Sequence, residues 1–136
     1  MTPQKSMAFD RVGPIFVLVH GTSPPSDEAW SAYLDALRQV DLSRARSLVF
    51  TQGGAPSGVQ RARLQEIMGG RESLGAIVTE STWVRAVGKA LSLANPSLQV
   101  FSPDDLAGAC RHLKLSEAES AVVERKLAEL RKTMGF

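Results

Sequence analysis

The apolar positions of this chain fall into two kinds of run. Four runs are short and nearly continuous: "PIFVLVH" (14–20), "SLVF" (47–50), "GAIVT" (75–79) and "LQVF" (98–101), each bounded by turn residues. Unbroken apolar character over so few residues suits strands that are covered on both faces or central in a sheet. "MAFDRV" predicts a further, shorter strand, turning through Gly13-Pro14 into the first of the four.

The remaining apolar residues recur at helical spacing, and each recurrence begins on a readable cap. Ser26 is an N-cap followed by Asp27 and Glu28, which place negative charge at the positive end of a helix dipole. Trp30, Tyr33, Leu34, Leu37 and Val40 then form one stripe. Ser57-Gly58-Val59-Gln60 reads as a capping box, followed by Leu64, Ile67 and Met68, with Gly69-Gly70 as the stop. Ser81 or Thr82 starts a third helix carrying Trp83, Val84, Val87 and Leu91, ended by Asn95-Pro96. Ser102 is the expected cap of a fourth, with Pro103 at its first position and Asp104 and Asp105 in its first turn. Ser116-Glu117-Ala118-Glu119 is another capping box, opening a last helix to about Thr133.

Strands that alternate with helices predict a mixed, largely parallel sheet with right-handed crossovers. The expected fold is a single α/β domain with four to five strands and about five helices. Residues 7–115 make the α/β unit. Residues 116–133 make an amphipathic helix whose stripe, Val123, Leu127, Leu130 and Met134 widened by Val122 and the stem of Lys126, packs on that unit or on a partner. A homodimer through this helix is the alternative to packing on its own domain.

Composition narrows the function classes. Sixteen basic residues against 14 acidic ones give a net charge of +2, far from the dense basic surface of a nucleic-acid binder. A lone cysteine, Cys110, precludes an internal disulfide and fits a reducing, cytoplasmic setting. No apolar run approaches the length of a membrane span, and Met1 to Asp10 lacks a signal-like apolar core.

Catalytic chemistry finds little footing. "VLVHG" resembles the strand end that opens the oxyanion loop of many α/β-hydrolases, but there is no Gly-x-Ser-x-Gly to supply a nucleophile. Of the two histidines, His20 ends a strand and His112 sits in the Leu106, Ala109, Cys110, Leu113 pattern of a helix. Neither reads as a base, and Cys110 reads as buried and inert. Two distant histidines and one cysteine make no metal-ligand cluster, and Gly53-Gly54 lacks the Gly-Lys-Ser/Thr ending of a nucleotide loop. The expectation is a chain without enzymatic activity, cofactor or metal.

In a parallel sheet the loops after the strands gather at one edge with the N-termini of the following helices. Those loops are "GTSPPS" (21–26), "TQGGAPS" (51–57), "TEST" (79–82) and "SPDD" (102–105), rich in hydroxyls, glycine and proline. Arg61 and Arg85 fall one turn into two of the helices. Gly53, Gly54, Ser57, Gly58, Arg61, Ser81, Thr82 and Arg85 are therefore the candidate residues for contacting a partner or an anion.

At this point the chain resembles a known family. "PIFVLVHGTSPPSDEAWSAYLDAL", "LVFTQGGAPSGVQRARL", "GAIVTESTWVRAVGKAL" and "FSPDDLAGACRHL" are laid out like the STAS domain, the anti-sigma-factor-antagonist fold, and more narrowly like its SpoIIAA-like members. The resemblance covers about residues 8 to 115. It implies a regulatory domain that docks on a protein partner, a regulator or kinase, with a phosphorylatable serine at the start of the helix after the third strand. That serine commonly lies within Asp-Ser-Ser-Gly. Here Ser57 and Gly58 match the pattern, while Ala55 and Pro56 stand where Asp and the first Ser would be. Ser57 is thus the candidate for phosphorylation. The alternative function is a small-molecule or lipid-headgroup binding domain using the same loops.

Overall fold

In the computed structural model the chain begins with a hairpin. β1 (Met7–Val12) and β2 (Ile15–His20) run antiparallel, joined by a tight turn in which Gly13 takes a φ of 59°. That left-handed conformation suits a residue without a Cβ. β3 (Arg46–Thr51), β4 (Leu74–Val78) and β5 (Leu98–Phe101) then add in parallel, giving one sheet in the order β1-β2-β3-β4-β5. The structure describes residues 6–94 and 96–136; the side chains at 83, 87, 91, 92 and 94 lie outside that description. The predicted Trp83, Val87 and Leu91 stripe and the Asn95 stop fall there.

Five helices accompany the strands: α1 (Asp27–Leu37), α2 (Gly58–Met68), α3 (Thr82–Ala94), α4 (Leu106–His112) and α5 (Glu117–Met134). The fold is a single-domain α/β architecture with a mixed, mostly parallel sheet. Because successive parallel strands are neighbours, crossovers of one hand lay their helices on one face. α1 and α2 pack there on Phe16, Leu18 and Ala45, and α3 crosses β5 so closely that a Cβ on Gly88 would collide with Val100. The other face is left for α4 and α5. Ala109, Leu113, Val123 and Leu127 close there over Ile15, Val17, Val19, Leu48, Phe50, Ala76 and Val78.

Local starts and stops follow side-chain chemistry. The Ser26, Ser57 and Ser116 hydroxyls each accept the backbone N–H three residues on, and Gln60 and Glu119 complete capping boxes. α2 and α5 end on Gly69 and Gly135, both left-handed. Val40 lies beyond the end of α1 and is half-buried.

Two expectations are corrected. Ser102 makes no side-chain cap; residues Pro103–Asp105 form a 3-10 turn, and Asp105 caps α4 by accepting the Gly108 N–H at 3.0 Å. Pro103 fixes a turn before the helix, so the capping position slips by three residues. β3 extends one residue past "SLVF" at each end, and β4 runs 74–78 rather than 75–79. Val17, Val19, Trp30, Leu34 and Val78 are fully buried, while Val49, Ile77 and Leu64 are half-buried. Val49 and Ile77 share the sheet face covered by α1, α2 and α3, and Leu64 lies on α2.

Candidate functional site

The loops after β2, β3 and β4 meet at one edge of the sheet and are tied into a rigid frame. Gly54 N–H donates to the Gly21 carbonyl at 2.8 Å, and a Cβ at Gly54 would run into the carbonyls of Gly21 and Ser23. Glycine is therefore required where the two loops touch. The Thr51 hydroxyl donates to the Gly54 carbonyl at 2.6 Å and accepts the Gly53 N–H at 3.0 Å. The Thr79 hydroxyl donates to the Thr51 carbonyl at 2.8 Å and accepts the Ser81 N–H at 3.1 Å. Both threonines are buried, and their hydroxyls are spent on the frame.

Gln60 fastens the frame to the helices. Its Oε1 accepts the Ser57 N–H at 2.9 Å, its amide donates to the Pro25 carbonyl at 2.7 Å, and its carbonyl accepts the Trp30 indole N–H at 3.0 Å. A 3% exposed glutamine thus joins the 21–26 loop, α1 and α2. The capping box was readable in the sequence. The bridge to Pro25 and Trp30 was not, because those partners come from another loop and helix.

Mounted on this frame, the predicted site residues divide into two groups. Gly53, Ser57, Gly58 and Arg61 are exposed around the start of α2, while Gly54 is buried beneath them. Val59 joins them at 66% exposure, an isolated large apolar side chain on the first turn. Ser81, Thr82 and Arg85 open α3: the Ser81 hydroxyl accepts the Val84 N–H at 3.2 Å, and the buried Arg85 Nε has no hydrogen-bond partner among the described residues. Among the described residues no hydrogen bond or ion pair joins the two groups.

The histidines and the cysteine have structural surroundings. His20 is 3% exposed and, among the described residues, its Nδ1 has no hydrogen-bond partner; burial drives its pKa down to about 4, so the imidazole is neutral. His112, at the end of α4 away from these loops, places Nε2 2.8 Å from the Ser97 carbonyl, with its ring tilted 43° to that of Phe101. Cys110 is buried, and desolvation raises its thiol pKa. Among the described residues no cluster of three His, Cys, Asp or Glu side chains is set to hold a metal, and no helix is long and apolar enough to cross a membrane.

On the α4–α5 side of the same edge lies a cleft of about 390 Å³ lined by Phe50, Thr51, Gln52, Glu80, Ser81 and Arg131. Arg131 belongs to α5 and lies over Phe50, with its guanidinium carbon 4.3 Å from the ring centre. Helical periodicity gives the direction of a side chain, not the length over which an arginine can fold back onto a neighbouring ring. No protein-family model, curated protein or solved structure matches the chain.

Proposed function

We propose that the chain is a non-catalytic regulatory domain of the STAS-like kind that docks a protein partner through the start of α2. The observation that carries this reading is Val59. It is an exposed apolar side chain on the first turn of α2, flanked by Ser57, Gly58 and Arg61, on a backbone held by Gln60, Trp30 and the Gly54–Gly21 contact. An exposed apolar anchor beside an arginine, on a backbone held by buried hydrogen bonds, suits a protein partner.

The same geometry supports a switch at Ser57. The side chain is exposed, and a phosphate there would meet the N–H groups of the first turn of α2, with Arg61 one turn on. The added charge would stabilise the helix start while changing the surface a partner reads. The absence of catalysis in this reading rests on how the hydroxyls and imidazoles are used: Ser57 caps a helix, Thr51 and Thr79 tie loops, and His20 is sealed.

Affinity capture with the full chain as bait tests it. The reading predicts one protein that is retained by the wild type, lost with Val59→Asp and weakened with Ser57→Asp, while both variants keep the wild-type circular dichroism. A partner held equally by all three baits would refute the α2 surface.

A further inference from the structure

We propose that the cleft between α5 and the ends of β3 and β4 binds a small carboxylate that also carries a hydrogen-bond donor, an amino or hydroxy acid. The inference does not rest on docking at α2, and its probes leave that helix untouched. The cleft's volume, about 390 Å³, is in the range of small-ligand sites. Its character comes from two charges that are not spent on each other. The Arg131 guanidinium carbon lies 4.3 Å from the centre of the Phe50 ring, which holds the charged head beside the cleft; among the described residues its buried Nε has no hydrogen-bond partner and no carboxylate pairs with it. Glu80 lines the same cleft, is exposed, and forms no ion pair either.

A guanidinium held over a ring is restrained in position and offers a fork of N–H donors to the two oxygens of a carboxylate. Glu80 supplies an acceptor for an ammonium or hydroxyl on the same ligand, and its charge disfavours a dianion such as phosphate. Gln52 and Ser81 add neutral polar groups, whereas the Thr51 hydroxyl is already engaged in the frame. The pocket therefore favours a zwitterion or hydroxy acid over a bare anion.

Amide NMR titration of the full chain with glycine, lactate, acetate and inorganic phosphate tests the site. Glycine or lactate should give saturable shifts at Gln52, Glu80 and Ser81, with acetate at least about tenfold weaker and phosphate weaker still. Arg131→Met keeps the length and the apolar stem and should abolish the shifts. Glu80→Gln, at an exposed position that leaves the core intact, should reduce glycine and lactate to the level of acetate. The proposal is overturned if none of the four gives saturable shifts there, if phosphate binds as tightly as the carboxylates, or if Glu80→Gln leaves the ranking unchanged. Binding that survives in a folded Arg131→Met variant would also overturn it; should that variant not fold, the ranking in Glu80→Gln decides.

Discussion

On the face carrying α4 and α5, Ile15, Val17, Val19, Leu48, Phe50, Ala76 and Val78 are sealed from solvent. On the face carrying α1, α2 and α3, burial fades from Phe16 and Leu18 to the half-buried Val49 and Ile77 of the central strands, whereas Val12, Leu74 and Phe101, half-buried on the α4–α5 face, lie at strand ends. The strands place Ser47, Thr51 and Gly75 on the second face, and the helices widen the difference. α5 brings a stripe with Val123 and Leu127 at its centre and lies over β1 and β2, and α4 closes over β4 and β5. α2 offers only Leu64, Ile67 and Met68 to the sheet side and turns Val59, Arg61 and Arg63 outward. Stability is concentrated on one face, and the other keeps a helix free for contact.

The largest test of this division is a pair of truncations. Leu48→Ala, on the sealed face, should cost about 2–5 kcal/mol, because the cavity it leaves is lined by packed side chains that cannot all collapse. Leu64→Ala, on the open face, should cost about 1 kcal/mol. Urea unfolding measures both, with an unchanged m-value confirming that the two-state reading holds. Equal losses would break the comparison.

Acid should act through His20. Its folded pKa, about 4, lies below the ordinary 6.5, so the unfolded chain binds the extra proton between those values. The stability contributed by the neutral, buried imidazole is full above about pH 6.5 and is lost as pH falls toward 4, up to about 3 kcal/mol. His20→Leu should flatten that slope. The carboxylates of Asp10 and Glu119, whose pKa values are lowered by the Lys126 and Ser116 hydrogen bonds, act at still lower pH.

Two glycines of one loop and helix sharpen the view of the binding edge. Gly54→Ala should destabilise by about 1–3 kcal/mol, since its Cβ has backbone on its path. Gly58→Ala meets open space and should stabilise by about 0.5–1 kcal/mol as a better helix former. Thermal melts of the two variants should move in opposite directions. The smallest effect belongs to Lys126→Met: its 2.7 Å pair with Asp10 ties α5 to the edge strand but is partly solvated, so the loss should stay below about 1 kcal/mol and shrink in salt.

Much of this arrangement was legible in the chain. Continuous runs such as "PIFVLVH" located the strands because both of their faces are covered, and Ser26, Ser57 and Ser116 located helix starts because their hydroxyls serve the nearest backbone. What escaped depends on residues distant in sequence. The stripe on α5 specified a face to bury but not its cover, which the structure supplies from β1 and β2. Ile77 had the same apolar signature as Val78, and only the position of the helices separates a half-buried residue from a sealed one. At the binding edge the loops were readable, but the Gln60 bridge to Pro25 and the fold-back of Arg131 onto Phe50 were not.

The most direct test of the open face as a docking surface is site-specific photo-crosslinking in cells. A photoreactive residue at position 59 on α2 is compared with one at the exposed position 128 on α5. The account predicts a discrete protein adduct from position 59 that is diminished by Ser57→Asp, and none from position 128. A discrete adduct from position 128 alone would contradict it and move the interface to the face that carries α5.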